Sequence, residues 1–559
     1  MSAPFRTVKS DVVGSGGVVA TNHPLASAAA IEALADGANA VDAAVSALFA
    51  LTVVEPMMVG LCGAGFFVHR LPDGTTVTLD NYATVPAAAH PELFEPIPHD
   101  LEYGTVGDRN NTGHLAVATP GALAGWAEML ARHGTMSLAD AVAAAIRYAE
   151  RGFTASPYLS QAVAESPRLA EFAAAAGTFH PGGRPLRPGD RLRQPDAAAT
   201  LRAVAEAGPD VLYRGPLGAA LVAEMEHGGG LVTAADLAGY RVRWREPVRG
   251  EYRGCSVTSM PPASSGGTHV IEILNLLEGF DVAGLGFGTV AGVHLFVEAL
   301  KLAFADRTEF MADPETTDVP VAWLTSKAYA AGRRADLDPA RASSFAAGRA
   351  GGGGDGGGGD GEGACTTHVT VLDGAGGIVS TTQTINALFG SKVMASGTGM
   401  VLNNCMGLMD PTPGRTNSIA AGKRILSSMS PTIVGREGRP WFALGTPGGN
   451  RIFAAVTQAI LNVVDHGMSL QEAVEAPRVW TMGGAVHVED TFPGLTELVA
   501  GLERLGHRVE VVPKVAGGMN GVMIDDDGRR RGAACWRADG APMAMSGGAA
   551  RETTSTLDR

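Results

Sequence analysis

The sequence predicts a mixed α/β (α+β) protein with a sizeable core, and three observations support this prediction. Hydrophobic residues make up 45% of the 559 residues and charged residues 18%, which is typical of globular proteins. Alanine-rich segments with helical periodicity alternate with short segments in which apolar and polar residues alternate, as in hairpin strands. Aromatic residues are scarce at 6%, so we expect closely packed helices of small residues.

The helices are predicted by the spacing of apolar residues. Residues 24–34 and 40–51 form two alanine-rich helices, and Asn39 has the side chain to cap the second. Further helices are predicted at residues 121–132, 138–151, 197–207, 269–277 and 290–311. The last of these is long and amphipathic, and we expect its charged residues on a solvated or salt-bridged face: Glu298, Lys301, Asp306 and Arg307.

Two hairpins are predicted. The first has a strand ending at His69, a turn at residues 72–74 and a strand at residues 75–79. The glycine-rich stretch 60–65 lacks a phosphate-binding motif, so close backbone packing is the better interpretation. The second hairpin has strands at residues 366–373 and 378–385, with glycines in its turn, and Thr366 lies at its open end.

A low-complexity segment, residues 350–363, precedes the second hairpin. It is mostly glycine with a few acidic residues, so we predict a flexible linker over residues 350–365 between regions 1–349 and 366–559. Cleavage between Cys365 and Thr366 would give Thr366 a free α-amine, with a pKa of roughly 8, beside its own hydroxyl. That pair is a nucleophile with a built-in base. On these residues alone, an ordinary linker before an ordinary strand is the favoured interpretation.

Two later segments could serve acyl chemistry next to such a nucleophile. Residues 446–450, which include Gly448 and Gly449, precede an apolar helix predicted at residues 452–464. Glycine N–H groups at a helix entrance can donate to a developing oxyanion. Ser427 and Ser428 offer hydroxyls before a strand predicted at residues 432–434. Each pattern by itself is more often a simple turn or loop.

Charge and cysteine spacing argue against several classes of partner. A formal net charge of −14 argues against nucleic acid or an anionic membrane surface. The longest apolar run, residues 43–54, is too short to span a bilayer and no signal peptide is recognisable, so we expect a cytoplasmic protein. The acyl chemistry needs no organic cofactor. Neither a disulfide framework nor a metal site is predicted from the five scattered cysteines, Cys62, Cys255, Cys365, Cys405 and Cys535.

Over nearly its whole length the sequence resembles the γ-glutamyltransferase (γ-glutamyl transpeptidase) family of N-terminal-nucleophile hydrolases. The similarity begins with residues 36–45 and continues through residues 261–267 and 304–307. In the last third it covers the motif Thr366-Thr367-His368 and residues 402–404, 426–433 and 447–449. The order and spacing of these motifs support the assignment, which none of them would carry alone.

The resemblance implies a four-layer αββα sandwich that two subunits, cut from one precursor, build jointly as a heterodimer. It also implies self-cleavage before Thr366 and a ping-pong mechanism through an acyl-enzyme. Carried over by position, Thr366 is the nucleophile and Thr384 assists it. Gly448 and Gly449 bind the oxyanion. His368 faces the same side of its strand as Thr366, and a role as an ordinary sheet residue is at least as plausible as a catalytic one. The carboxylate or amino end of the substrate would meet Asn386, Asn404, Ser427 and Ser428.

The residues that recognise the substrate depart from the family pattern. Where the family has an arginine for the γ-glutamyl α-carboxylate, this chain has Pro91, with His90 beside it. The family's glutamine and acidic residue for the α-amino group are Cys405 and Leu408 here. Each lost charge-assisted bond is worth roughly 1.5–3 kcal/mol, so a γ-glutamyl substrate should bind far more weakly unless His90 or Arg415 compensates. Residues 408–427 are also short for the family, which suggests a trimmed lid over the pocket.

The sequence therefore predicts an autoprocessing threonine acyl hydrolase or acyltransferase. Its substrate would carry a small carboxylated or keto-acid-like acyl group, such as an oxamate-type amide, as in the amidohydrolase and acylase branches that the resemblance suggests. A small-molecule substrate and the two subunits themselves are the expected partners. The alternatives are a genuine γ-glutamyl-peptide (glutathione) hydrolase or transpeptidase, a hydrolase of a C–C bond in secondary metabolism, and a processed but inactive binding protein.

Overall fold

Four layers make up the protein in a computed structural model that describes residues 4–98, 103–348 and 365–547. Two seven-stranded sheets, here called sheet I and sheet II, lie face to face between two layers of helices. The Ser380 hydroxyl of sheet I donates to the Leu444 carbonyl of sheet II at 3.4 Å, and the Asn520 amide donates to the His368 carbonyl at 3.0 Å. The predicted αββα sandwich is confirmed. The linker, residues 350–364, lies outside the described residues, and of Cys365 only the backbone is described.

Sheet I contains the hairpin that carries Thr366. Its strands run in the order Ala541–Met545, Gly17–Thr21, Cys365–Asp373, Ile378–Asn386, Ala64–Arg70, Thr76–Asp80 and Arg243–Arg245. Strand Cys365–Asp373 is paired on both sides over residues 369–372 but only with Ile378–Asn386 at Thr366. The body of the strand is therefore fixed, whereas one edge of its first residues has no strand partner among the described residues.

Sheet II, like sheet I, contains strands from before and from after the linker. Its strands run in the order Val12–Gly14, Arg530–Ala534, Asn520–Ile524, Arg439–Gly445, Thr432–Arg436, Cys255–Ser259 and Val248–Tyr252. Four strands of sheet I and three of sheet II come from before the linker, and the remainder come from after it. A small sheet contains Val479–Trp480, Val486–Glu489 and Val509–Val512, and two strand pairs are Met394–Ala395 with Met400–Val401 and Phe153–Thr154 with Arg191–Leu192.

Alanine-rich helices cover the outer face of sheet I. Helices Pro24–Ala35 and Ala40–Val54 pack against each other and against this sheet, and the second is buried along almost its whole length. Sheet II is covered by Gly266–Leu277 and Ile452–Val464, and Val290–Phe310 packs on Gly266–Leu277. The other described α-helices are Ala122–His133, Leu138–Arg151, Pro157–Ala164, Ala173–Phe179, Pro195–Ala207, Asp210–Tyr213, Pro216–Gly228, Ala234–Gly239, Val282–Leu285, Val321–Leu324, Lys327–Arg333, Leu470–Glu475 and Leu495–Arg504. Within the described ranges, none of the helices has both the length and the apolar character required to cross a membrane.

Local chemistry explains why the predicted elements begin where they do. The Asn39 side chain accepts the Val41 N–H at 2.9 Å, and the Asp42 carboxylate accepts the Asn39 N–H at 3.0 Å, so the predicted cap is confirmed as a capping box. Close packing of the glycine-rich stretch is also confirmed. A Cβ on Gly63 would lie 2.3 Å from the Thr384 carbonyl oxygen, so only glycine fits against strand Ile378–Asn386.

Of the two environments predicted for the charged face of helix Val290–Phe310, the salt-bridged one is found and the solvated one is not. Four of its charged residues are not solvated, because each is at most 8% exposed: Glu298, Lys301, Asp306 and Arg307. The segment before the linker covers this face of the helix. The Ser343 N–H donates to the Glu298 carboxylate at 2.8 Å, and the Gly348 N–H donates to Asp306 at 2.6 Å. Glu298 pairs with Lys301 at 2.8 Å and Asp306 with Arg333 at 3.5 Å inside the protein, which helical periodicity cannot distinguish from a solvated face.

Candidate active site

Thr366 lies at the start of strand Cys365–Asp373 of sheet I, opposite Thr384 on the neighbouring strand. Its hydroxyl donates to the Thr384 hydroxyl oxygen at 3.1 Å, and the residue is 2% exposed. The Asn386 N–H donates to the same Thr384 oxygen at 2.7 Å. Two donors thus converge on one hydroxyl oxygen, so the Thr366 proton is directed toward a fixed acceptor.

The pair of asparagines forms the next part of the site. Asn386 has a φ of +78°, a left-handed conformation that asparagine tolerates better than most residues. Its side-chain amide donates to the Asn404 carbonyl at 3.0 Å, while the Asn404 side-chain oxygen accepts the Ala387 N–H at 2.8 Å. The structure therefore brings Thr366, Thr384, Asn386 and Asn404 together in one hydrogen-bonded network.

Glu55, which follows helix Ala40–Val54, contacts the opposite face of the strand that carries Thr366. Its carboxylate accepts the Thr367 hydroxyl at 2.6 Å, and the Asn22 amide donates to that hydroxyl at 3.3 Å. The second carboxylate oxygen, Oε1, is buried and has no hydrogen-bond partner in the described part of the chain. Burial raises the pKa of Glu55 from 4.5 to about 8. Sequence reasoning did not identify this residue, although a single acidic residue at the end of an apolar run could have indicated a buried acid.

His368 is held as a sheet residue. Its Nδ1 lies 2.8 Å from the Thr382 hydroxyl and its Nε2 lies 2.9 Å from the Thr370 hydroxyl. Burial lowers the pKa of His368 to about 3, so the ring is neutral. Both nitrogens are occupied by neighbouring strand hydroxyls, which favours the structural interpretation over a catalytic one.

The glycine turn lies at the same end of the sandwich as Thr366. Strand Arg439–Gly445 ends against His368, because a Cβ on Gly445 would lie 2.3 Å from the His368 ring. Three residues later, Gly448 has a φ of +143° and Gly449 a φ of +56°, and a Cβ on Gly448 would lie 2.7 Å from the Ala516 Cβ. The turn leads into helix Ile452–Val464, as predicted, so its N–H groups lie near a helix N-terminus.

The two predicted serines have different partners. The Ser428 hydroxyl donates to the Asn450 side-chain oxygen at 3.2 Å, which ties it to the glycine turn. The Ser427 carbonyl accepts the Ser265 N–H at 2.8 Å, and the Ser265 hydroxyl donates to the same carbonyl, also at 2.8 Å. The serine loop is thus held on one side by the turn and on the other by the start of helix Gly266–Leu277.

The residues that depart from the family pattern occupy different environments. Cys405 is fully buried directly after Asn404, and burial raises the pKa of its thiol. Leu408 is half-buried against the core. His90 is exposed, and its Nδ1 lies 3.6 Å from a Glu92 carboxylate oxygen, so its polar contacts within the described residues do not reach the threonine pair. Arg415 is also exposed and lies 3.5 Å from Asp410.

Comparison with known sequences assigns the chain to a family. A family model described as gamma-glutamyltranspeptidase matches residues 26–545. The chain is 52% identical over 553 residues to the acylase ACY 1 proenzyme of Pseudomonas sp. (strain SE83), covering 98% of this chain and 97% of that protein. It is 36% identical over 533 residues to the glutathione hydrolase proenzyme of Escherichia coli (strain K12), covering 92% of this chain and 90% of that protein.

Solved structures show the same fold. The cephalosporin acylase from Bacillus halodurans superimposes with a TM-score of 0.87 at 31% identity, covering 98% of this chain and 99% of that one. A gamma-glutamyltranspeptidase chain of Helicobacter pylori gives a TM-score of 0.56 at 36% identity over 60% of this chain and 95% of that one. These similarities show an acyl hydrolase or acyltransferase made as a proenzyme. The chain belongs to the γ-glutamyltranspeptidase family.

Proposed function

We propose that this protein is a threonine acylase that cleaves itself between Cys365 and Thr366 and then hydrolyses an amide bond through an acyl-enzyme on Thr366. The observation that carries the proposal is the 3.1 Å hydrogen bond from the Thr366 hydroxyl to Thr384 at the unpaired edge of the strand. A hydroxyl whose proton is already directed to an acceptor is oriented for attack.

The self-cleavage step balances with the groups of the chain and one water molecule. The Thr366 oxygen attacks the Cys365 carbonyl carbon, the hydroxyl proton passes to the Thr366 nitrogen as the peptide C–N bond breaks, and an ester forms. Water then hydrolyses that ester, which leaves a carboxylate on Cys365 and a free α-amine on Thr366. The reaction therefore creates the base that the mature nucleophile needs.

In turnover, Thr366 attacks the amide carbonyl of a separate substrate molecule by the same chemistry. The α-amine takes the Thr366 proton, the oxygen attacks the amide carbonyl, and the protonated amine delivers that proton to the leaving amine. Gly448 and Gly449 are the proposed donors to the oxyanion of the tetrahedral intermediate. Water then releases the acyl group as a carboxylic acid and regenerates Thr366.

Two observations favour an acylase over a γ-glutamyl enzyme. The positions expected to hold the α-amino group of a γ-glutamyl substrate are the uncharged Cys405 and Leu408. The chain is also more similar to an acylase proenzyme, at 52% identity, than to a glutathione hydrolase proenzyme, at 36%. A side-chain amide of a cephalosporin-like compound is therefore the first substrate to test, with oxamate-type amides next.

Intact mass spectrometry of the purified protein tests the self-cleavage. We expect two polypeptides, residues 1–365 and 366–559, and Thr366→Ala should remain a single chain without activity. Thr370→Ala is the matched control, because it removes another buried threonine hydroxyl from the same face of the same strand without touching Thr384. An uncut wild-type chain, or cleavage at another bond, would contradict the proposal.

A panel of substrates separates the alternatives after cleavage is established. Release of the amine from an acyl amide supports the acylase, whereas faster turnover of a γ-glutamyl anilide would identify a γ-glutamyl hydrolase. Cleavage of a dicarbonyl C–C bond, without cleavage of any amide, would identify the protein as a C–C bond hydrolase. A cut protein that turns over none of these compounds would be an inactive relative.

A further inference from the structure

The strand that carries Thr366 is irregularly paired at the bond proposed for cleavage. Cys365 lies opposite Asn386 and Thr366 lies opposite Thr384, so the partner strand has one extra residue, Ile385, at this place. A bulge of this kind disrupts the backbone ladder locally and bends the strand. The ladder is therefore interrupted on this edge where the scissile bond lies.

The other edge of the strand loses its regular pairing before the nucleophile is reached. Strand Gly17–Thr21 ends opposite Val369. The next residue, Asn22, contributes its side chain instead, and its amide donates to the Thr367 hydroxyl oxygen at 3.3 Å. The Thr367 hydroxyl then donates to the Glu55 carboxylate at 2.6 Å. Side-chain hydrogen bonds therefore hold this edge where the backbone ladder stops.

Asn520, from sheet II, completes this chain of hydrogen bonds. Its side-chain amide donates to the Asn22 side-chain oxygen at 2.8 Å and to the His368 carbonyl at 3.0 Å. Asn22, Thr367 and Asn520 are each 0% exposed, so a donor that lost its acceptor here would stay unsatisfied. The orientation of both amides is therefore fixed, and we call Asn22 and Asn520 the asparagine clamp.

Asn520 also connects the asparagine clamp to the glycine turn. It begins strand Asn520–Ile524 and pairs with Gly445, the last residue of the strand that leads into the turn. Three residues before Asn520, the Gly517 N–H donates to the Pro447 carbonyl of the turn at 2.9 Å. The segment that contacts the nucleophile strand through its side chain thus supports the proposed oxyanion turn through its backbone.

We propose that Asn22 and Asn520 are positioning residues, which hold the start of the nucleophile strand in place against the glycine turn for both self-cleavage and turnover. The inference rests on the proposed acylase function and adds two residues to its machinery. Neither amide transfers a proton or contacts the substrate. Both act through Thr367 and His368, because the position of these neighbours decides where the Thr366 oxygen lies. A misplacement of about 1 Å can reduce a rate about 100-fold.

The rate of self-cleavage tests the proposal without any substrate. Pulse-labelled protein from cell-free translation is followed on denaturing gels at several pH values. Asn520→Asp keeps the shape of the side chain but removes both donors when it is ionised, so cleavage at pH 8 should slow about 10- to 100-fold. A buried carboxyl becomes protonated as the pH falls and regains one O–H donor, so the ratio of variant to wild-type rate should recover about 3- to 10-fold by pH 5.5. Asn520→Leu, which has no donor, should show no recovery.

A matched control separates positioning from general stability. Asn275 is 1% exposed, and its amide donates to the Thr325 carbonyl at 2.7 Å, outside the asparagine clamp. Asn275→Leu should lower the urea midpoint about as much as Asn520→Leu but cleave at the wild-type rate. In chains that have been cut, the best amide substrate of the panel should show kcat reduced about 10- to 100-fold in Asn520→Asp, with KM within about threefold of the wild type.

The outcomes separate this inference from the proposed function. Wild-type cleavage rates in both Asn520 variants, or an equal slowing in Asn275→Leu, would overturn the positioning role and leave the acylase intact. A wild-type chain that stays uncut would count against the acylase. Hydrogen exchange in the Thr366→Ala chain then decides the positioning role alone: Asn520→Asp should speed exchange of the amides of residues 366–368 about tenfold or more, and unchanged exchange overturns it. If the Asn520 variants do not fold, Asn22→Asp replaces them, because it loses only the bond to Thr367, and wild-type exchange in that variant is equally decisive.

Discussion

Replacing Glu55 with glutamine should make the stability of the protein less dependent on pH above neutrality. Glu55 is 1% exposed, accepts the Thr367 hydroxyl through one oxygen, and has no described partner for the other. Burial raises its pKa from 4.5 to about 8, so the folded protein favours the protonated acid. Glutamine has the same shape as that neutral acid and can still accept the Thr367 hydroxyl.

The magnitude follows from the difference between the two pKa values. Because the folded pKa is raised, the stabilising contribution is complete below about pH 4.5 and is lost as the pH rises through about 8. At about 1.4 kcal/mol per pH unit, the total loss approaches about 5 kcal/mol at high pH, as an upper bound, and about 3 kcal/mol has been lost by pH 7. Because glutamine does not ionise, the Glu55→Gln variant does not lose this stabilisation as the pH rises.

Urea unfolding between pH 6 and 9 measures the effect. Both proteins should carry Thr366→Ala, so that unfolding follows a single chain. The free energy of unfolding of Glu55→Gln minus that of the Glu55 protein should rise by roughly 2–3 kcal/mol across this range. Glu32→Gln, at a half-exposed acid paired with Arg147, should give a flat difference. A flat difference for Glu55→Gln as well would refute the reasoning from burial.

Three further substitutions test the catalytic arrangement. Thr384→Val removes the acceptor of the Thr366 hydroxyl at nearly constant shape, so self-cleavage on denaturing gels should slow about 10- to 100-fold, and an unchanged rate would exclude this role. Gly448→Ala places a Cβ 2.7 Å from the Ala516 Cβ at a φ of +143°, so kcat should fall about 100-fold or more. Normal turnover in that variant would show that the turn does not bind the oxyanion. Ser428→Ala should raise KM by less than about tenfold with kcat nearly unchanged, and a larger fall in kcat would assign the hydroxyl to the chemistry itself.

The local elements were predictable because their signals are local. The Asn39 cap, helices Leu138–Arg151 and Ile452–Val464 and the hairpin that begins near Thr366 follow from periodicity, capping residues and turn glycines within a few positions of each other. The arrangement of strands into two interleaved sheets has no such signal. It came from the resemblance, since pairing partners such as Thr432–Arg436 and Cys255–Ser259 are far apart in the chain.

The buried charges were the main failure of sequence reasoning. Arg307 was expected on a solvated or salt-bridged face because charged residues on a long helix usually face water. In the structure this helix is enclosed by the segment before the linker as well as by helix Gly266–Leu277. Glu55 was overlooked for a related reason, since its importance depends on Thr367 and Asn22 more than 30 residues away in each direction. Tertiary contacts decide both environments.

The interleaving of strands has a consequence for refolding. Before the linker is cut, both sheets can assemble from a single polypeptide, and folding is a unimolecular event. After the proposed cut, each sheet would still need strands from both fragments, so a denatured mature enzyme could refold only through a bimolecular encounter. The proposed cleavage would therefore make refolding depend on protein concentration, although the native enzyme would keep its architecture.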